Sequence, residues 1–147
     1  MLAVQVRYFQ SKDLAEVYDI ACRSLRENYN PSIFLDLSPF WKEGFIVLEE
    51  FGQIVGFIFG ILVSNVEARV LMLAVRSEVR GKGLGSFLCT QFVQECVKKG
   101  IRVISLEVRQ SNLSAKKFYE KLGFTTVGVI KGYYSDGEDG IAMQLYL

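Results

Sequence analysis

Apolar and polar positions change period several times along this chain, and each change marks an element. Residues 3–9, AVQVRYF, alternate as a half-buried strand does. Ser11 then offers a helix N-cap, and Leu14, Val17, Tyr18, Ala21, Cys22 and Leu25 form one stripe of an amphipathic helix. The segment RENYNP (26–31) ends that helix, because Pro31 biases Asn30 away from helical angles. SIFLDLSPFWKEG reads as a short, irregular second helical segment. FIVLEE, the turn FGQ and the run IVGFIFGILV predict a hairpin, and ARVLMLAV (68–75) predicts a third strand after it.

The period returns to helical from Gly83 to Lys98, where Leu84, Phe87, Leu88, Phe92, Val93, Cys96 and Val97 recur and Gly100 sits where a helix C-cap belongs. IRVISLEVR (101–109) is a strongly β-branched central strand. Ala115, Phe118, Tyr119 and Leu122 then fall on one helical face, with Gly123 as its stop. FTTVGVIKGYY and GIAMQLYL close the chain as strands around the turn-rich SDGEDG. The order β-α-α-β-β-β-α-β-α-β-β predicts an α/β (α+β) class fold, a mixed sheet with helices against it in one domain, 1–147. The strand at 68–75, the helix at 83–98 and the strand at 101–109 form a crossover unit. That puts the segment between the first two at the carboxyl edge of the sheet, where open α/β sheets bind ligands.

Composition narrows the function classes. Half of the 147 residues are hydrophobic and only two are proline, so one compact domain is expected. Seventeen Lys and Arg against sixteen Asp and Glu leave a net charge of +1, and no overall field draws nucleic acid or an anionic membrane surface. Any anion site must be local. The apolar run at 54–63 is about half of what a bilayer-spanning helix needs, and the amino terminus has no signal-peptide pattern, so the expected location is cytoplasmic. Cys22, Cys89 and Cys96 have no metal-ligand spacing, and each falls on the apolar side of a predicted helix; reduced, buried thiols are expected. The chain has no histidine, which excludes a His triad, a His base and a His-ligated metal.

The candidate chemistry begins at VRSEVRGKGLGS (75–86), where Gly81, Gly83 and Gly85 alternate with Arg80 and Lys82 just ahead of a helix. A helix start presents unpaired N–H groups and a partial positive charge, and glycines let a phosphate approach the backbone. The alternative is a tight turn with solvated basic residues. The nucleotide pattern GxxxxGK[ST] is not met, because Lys82 precedes the last two glycines, and GxGxxG fails at Leu88.

Arg80, Gly83 and Gly85 match [QR]-x-x-G-x-[GA], the pyrophosphate loop of the GNAT superfamily of acetyl-CoA-dependent N-acetyltransferases, which the chain resembles. LMLAV before the loop and LEVRQSNLSAKKFYEKLGF after it are similar to the family's flanking motifs, in order along nearly the whole chain. RENYNP, LEVRQSN and KGYYSDGEDGIAM resemble the protein N-terminal acetyltransferases of archaea and eukaryotes and the bacterial ribosomal-protein alanine acetyltransferase. The resemblance implies a mostly antiparallel sheet of six to seven strands, splayed in the middle, with about four helices. It implies acetyl-CoA as co-substrate and no metal. Leu73, Ala74 and Val75 would offer backbone groups to the pantetheine arm and thioester. Arg80, Gly81, Lys82, Gly83, Leu84, Gly85 and Ser86 would take the pyrophosphate, and Asn112 and Tyr119 would sit beside the arm. Glu27, Tyr29, Tyr133 and Tyr134 would frame the first residues of the acceptor. Arg26 departs from the proline of many relatives, and relatives that use a histidine near the amine find no counterpart here.

Acetyl transfer to an amine needs a neutral amine, a stabilised oxyanion and a protonated leaving thiolate. A peptide α-amino group titrates near about 8, so deprotonating it near neutrality costs only about 1–2 kcal/mol and a modest base suffices. Glu107 shares its strand face with Ser105, while Ile104, Leu106 and Val108 point the other way; it is the candidate base, directly or through water. Its alternative is a solvated strand carboxylate. Tyr119 is the candidate general acid or thiolate stabiliser, against a reading as core aromatic. Asn112 can equally be the N-cap of its helix, Tyr133 and Tyr134 paired strand aromatics, and Glu27 and Tyr29 a solvated loop. The expected partners are protein or peptide N-termini, nascent chains and ribosomal proteins among them, with the enzyme a monomer or weak homodimer, with or without an auxiliary subunit. The alternatives are acetylation of a lysine side chain or small amine, and a non-catalytic acetyl-CoA-binding module.

Overall fold

The computed structural model describes residues 4–25, 27 and 29–147. Ala3, at the head of the first predicted strand, and Arg26, the departure in the acceptor loop, lie outside the described residues. The elements follow the predicted order: β1 (Val4–Tyr8), α1 (Leu14–Ser24), α2 (Ser32–Leu37), β2 (Phe45–Glu50), β3 (Gln53–Leu62), β4 (Glu67–Val75), α3 (Leu84–Lys99), β5 (Val103–Arg109), α4 (Leu113–Lys121), β6 (Thr125–Ile130) and β7 (Gly140–Tyr146). The strands form a seven-stranded sheet in the order β1-β2-β3-β4-β5-β7-β6. Among the described residues only β4 and β5 pair in parallel, as the α3 crossover requires.

Strand alternation builds a core on each face. Phe45 and Val47 of β2, with Phe57 and Phe59 of β3, face α1 and α2, where Phe34, Val17 and Ile20 meet them. Ile46, Leu48 and Ile58 face the other way, onto Leu88, Phe92 and Cys96 of α3. The Phe45 and Phe59 rings stack at 4.3 Å, and Phe34 is tilted against both. The FGQ turn is a tight hairpin with positive φ at Phe51 and Gly52, joining Glu50 to Gln53.

A bulge in β4 positions everything that follows. Phe59 opposes Met72 but Gly60 opposes Val70, so Leu71 is the extra residue. Ahead of it Ala68 and Val70 point toward α3; beyond it Met72 and Ala74 point toward α1, and Leu73 and Val75 take the α3 side. A bulge bends and twists its strand. β4 pairs with β5 only at Glu67, Ala68 and Arg69, opposite Val103, Ile104 and Ser105, and beyond Arg69 the two strands diverge.

Several sequence expectations are corrected. The first cap is a box formed by Gln10 and Asp13 in place of Ser11: the buried Asp13 carboxylate accepts the Gln10 N–H at 2.8 Å and pairs with Arg7 at 2.7 Å. Arg7 also reaches Glu49 at 2.9 Å, tying β1, α1 and β2 together. On α1 the buried stripe runs through Val17, Ile20 and Ala21, so Cys22 is exposed and is not a core thiol. Cys89 and Cys96 are buried, and burial pushes both thiols up to about 12, which keeps them protonated. The strand expected through Tyr134 stops at Ile130. Gly132 turns to φ 62 and its N–H bonds the Asp139 carboxylate at 2.9 Å, so Tyr133 and Tyr134 are loop residues, not paired strand aromatics.

Gly60 admits no side chain: an added Cβ would lie 2.3 Å from Phe92 Cε2 and Cζ in the buried ring. Gly60→Ala is expected to destabilise the fold by about 1–3 kcal/mol through overpacking, and Phe34→Ala by about 3–5 kcal/mol through the cavity it leaves. Urea unfolding followed by circular dichroism measures both, and an unchanged midpoint for either would contradict this packing.

Candidate active site

The diverging strands open a cleft of about 1140 Å³. Its walls are β4 from Arg69 to Val75, β5 from Leu106 to Arg109, the first turns of α4, and two loops that close one end. Past Arg69, β4 keeps β3 on one edge and has no strand on the other. Alternate backbone groups between Val70 and Val75 therefore face the cleft as an unpaired strand edge. An extended ligand with amide groups could pair with it as a strand would.

The glycine loop leads from the carboxyl end of β4 to α3. Gly81 and Gly83 sit at φ 81 and φ 78, left-handed values that favour glycine, and a Cβ at either would meet nothing within 4 Å. Gly85 serves another purpose: a Cβ there would lie 3.3 Å from the Phe118 ring, so it lets α4 approach α3. The first intrahelical bond of α3 runs from the Phe87 N–H to the Gly83 carbonyl at 3.0 Å. The N–H groups of Leu84, Gly85 and Ser86 thus precede the helical ladder and present a positive helix start. Arg80 folds back, donating to the Val75 carbonyl and to Ser24 Oγ, each at 3.0 Å. Arg80 lines the cleft, whereas Gly81, Lys82, Gly83, Leu84, Gly85 and Ser86 lie beyond its walls, and the Leu84 side chain is in the core.

Leu73, Ala74, Val75, Glu107, Asn112, Tyr119, Glu27, Tyr29, Tyr133 and Tyr134 all line the one cleft, although they come from four separate stretches of chain. Asn112 is the N-cap of α4: its Oδ1 accepts from the Ala115 N–H at 3.1 Å, which leaves the amide NH₂ as its free donor. Tyr119 is 8% exposed, packed edge-on against Phe118 and Phe124. Burial pushes its phenol well above the ordinary value, so it stays protonated across the physiological range.

Glu107 is held at 2.7 Å by Arg69, with 13% of its side chain exposed. Burial raises its carboxyl above the usual range, against the opposing pull of the Arg69 guanidinium. Arg69 also donates to the Tyr133 hydroxyl at 2.7 Å. At the end of β5, Arg109 pairs with Glu27 and with Asp136 and Glu138, the latter two at 2.8 Å each, and its guanidinium lies 4.2 Å over the Tyr134 ring. Hydrogen bonds from Ser111 and Arg109 hold Glu138 down to about 2, and burial pushes Tyr29 and Tyr134 up to about 12. Glu27 and Tyr29 are therefore not a free solvated loop. Arg109 fastens the α1–α2 loop to the β6–β7 loop across the end of the cleft.

Arg69 and Arg109 are the residues that sequence reasoning passed over. Each is a cation in an apolar strand, on the same pleat side as a polar neighbour, which is the signal that could have marked them. Among the described residues no group of three or more His, Cys, Asp or Glu is arranged to hold a metal ion, and no helix is long and apolar enough to cross a membrane.

Comparison with known proteins agrees with this geometry. The profile of the acetyltransferase (GNAT) family matches residues 14–124. The crystal structure of Ard1 from Thermoplasma volcanium superposes with a TM-score of 0.96 at 38% identity, covering 99% of each chain. A putative ribosomal protein bS18-alanine N-acetyltransferase of Bacillus subtilis is 34% identical over 94% of this chain and 92% of its own. An N-alpha-acetyltransferase of Sulfurisphaera tokodaii is 31% identical over 95% of this chain and 90% of its own. With the unpaired strand edge and the open helix start in place, the match over three quarters of the sequence settles the class: the chain belongs to the acetyltransferase (GNAT) family, and acetyl-CoA is its acetyl donor.

Proposed function

We propose that this enzyme transfers the acetyl group to the free α-amino group of a protein or peptide N-terminus. The observation that carries the reading is the walled end of the cleft. Glu27 and Tyr29 stand on one side and Tyr133 and Tyr134 on the other, with Arg109 linking the two loops. A slot closed in this way suits a chain terminus entering end-on, whereas a lysine side chain projecting from the middle of a peptide needs an open groove for the flanking backbone. The names of the Bacillus and Sulfurisphaera relatives support the same acceptor. The small net charge of +1 fits an enzyme acting on nascent chains or ribosomal proteins in the cytoplasm, and among the described residues no helix is long and apolar enough to cross a membrane.

In this reading the pyrophosphate of acetyl-CoA meets the N–H groups of the 81–86 loop, with Arg80 and Lys82 beside it, and the pantetheine arm runs along the free edge of β4 between Asn112 and Leu73. The amine attacks the thioester carbonyl. A C–N bond forms, the C–S bond breaks, and the oxyanion of the tetrahedral intermediate is met by a backbone N–H among Leu73, Ala74 and Val75. Glu107 takes the amine proton, directly or through a water, and Tyr119 donates to the departing thiolate. The products are the acetylated amine and CoA thiol. Burial lifts the Tyr119 phenol further above an ordinary thiol, which titrates at about 8.5, so full proton transfer is uphill and the tyrosine acts chiefly by donating a hydrogen bond that stabilises the departing thiolate.

Acetyl-CoA and a panel of short peptides test the acceptor. Peptides with free N-termini should react, and the same peptides N-terminally blocked, with lysine as their single amine, should not. Equal reaction of the blocked set would transfer the assignment to lysine. Acetyl-CoA binding with no transfer to any amine would favour a non-catalytic module. Glu107→Gln and Tyr119→Phe are each expected to lower turnover at least about tenfold, within the usual range for acid–base groups, while acetyl-CoA binding by calorimetry stays within about twofold. Because Glu107 must be ionised to accept a proton and burial raises its carboxyl, the wild type should show, besides the fall from protonation of the amine itself, a further acid-side fall of kcat above pH 4.5 that Glu107→Gln lacks.

A further inference from the structure

Arg69 has no part in the chemistry described so far, yet it sits where the cleft begins. It is the last β4 residue paired with β5, opposite Ser105. One carboxylate and one phenol converge on it: Glu107 Oε2 at 2.7 Å from β5, and the Tyr133 hydroxyl at 2.7 Å from the β6–β7 loop. Both contacts are made through Nη2, so this single nitrogen holds the candidate base and one wall of the acceptor slot. We propose that Arg69 is a positioning residue for acetyl transfer, holding Glu107 ionised and aimed at the amine while pinning Tyr133 so that the acceptor slot exists before the peptide arrives. The proposal rests on the N-terminal acceptor reading for the slot and on Glu107 as base for the proton transfer.

The surroundings of Glu107 leave that task to Arg69. Glu67 on β4 is a second carboxylate nearby, and it is already engaged by the Ser105 hydroxyl at 2.9 Å. Tyr133 and Tyr134 from the loop bring no cation, and β7 places Ala142 directly opposite Glu107 and Gln144 opposite Ser105. Arg109, two residues along β5, is committed to Glu27, Asp136 and Glu138. A carboxylate so far withdrawn from water, with a second acid as neighbour, would take up a proton without an opposing cation. Arg69 gains and loses no proton in the cycle; its guanidinium remains charged throughout.

The pairing with Tyr133 gives the position a second consequence. Tyr133 belongs to a loop, and Gly140 next along β7 lies against it, where an added Cβ would be 3.1 Å from Tyr133 Cβ. The ring is thus braced from behind and its hydroxyl is fixed from the front. Losing the hydroxyl contact frees the ring without touching Glu107, so the two roles of Arg69 separate experimentally.

The test uses Arg69→Gln, Arg69→Lys and Tyr133→Phe in the full chain. The Glu107 carboxyl is titrated directly by carbon-13 NMR of the labelled, ligand-free protein, with Glu107→Gln assigning the signal. Removing an adjacent cation should move the Glu107 midpoint upward by about one pH unit or more in Arg69→Gln, with Arg69→Lys falling between it and the wild type. Tyr133→Phe should leave the midpoint in place and raise the peptide KM severalfold with kcat within about twofold. Arg69→Gln should lower kcat at pH 7 and raise the peptide KM together, and Arg69→Lys should restore part of kcat. An unmoved or lowered midpoint in both Arg69 variants overturns the proposal, as does a peptide KM that Tyr133→Phe leaves unchanged. Should Arg69→Gln not fold, Arg69→Lys alone decides by the same midpoint. If no peptide N-terminus is acetylated by the wild type, the acceptor reading fails, and the NMR midpoint still judges the Arg69–Glu107 pair.

Discussion

One extra residue in one strand governs this molecule. With Leu71 unpaired, β4 changes which of its side chains face each core and turns away from β5 after three residues of parallel pairing. A continuous ladder would have filled the middle of the sheet with hydrogen bonds and left no room for a ligand. The bulge instead leaves a strand edge with unpaired backbone groups inside the domain, where such groups are normally satisfied. An extended, amide-bearing cofactor arm is a natural partner for that edge. The cost of leaving it open is met by the cores on either side, which clamp the β2–β3–β4 half through stacked phenylalanines and the β5–β7–β6 half through Ile104, Leu106 and Met143.

The cleft has two ends of different chemistry. At one, the backbone offers the donors: left-handed Gly81 and Gly83 shape a loop that opens onto the first N–H groups of α3. At the other, side chains line the walls, and they are organised by two arginines of adjacent strands. Arg109 gathers three carboxylates and a tyrosine ring and holds the end closed. Arg69 holds one carboxylate and one hydroxyl at the point where the strands part. Both are mostly withdrawn from solvent and paired at short range, so salt screens their ion pairs less than it screens surface pairs, and they fix geometry more than they add stability.

Some of this was legible before any coordinates. The element order, the crossover through α3, the glycine loop at a helix start and the helical face carrying Tyr119 all follow from local periodicity, and local periodicity survives folding when the core agrees with it. Local signals failed where a tertiary partner intervened. Ser11 looked like the cap, but the turn starts one residue earlier, where Gln10 and Asp13 form the capping box and Arg7 of β1 holds Asp13. Cys22 looked buried, but Ile20 occupies the face that meets the sheet. Tyr133 and Tyr134 looked like strand residues, but the Gly132 turn and its bond to Asp139 ended β6 early.

The sequence by itself determined what depends on neighbours along the chain: the helices and strands, their order, the family, and the loop before α3 whose glycines are three of six consecutive residues. Only the tertiary structure decided which distant side chains share one cleft. The bulge at Leu71, the pairing of Arg69 with Glu107 and Tyr133, and the closure of one end of the cleft by Arg109 join residues far apart in the chain. No spacing encodes those contacts, because they arise from the register of β4 against β3 and β5, which is set by how the two cores pack.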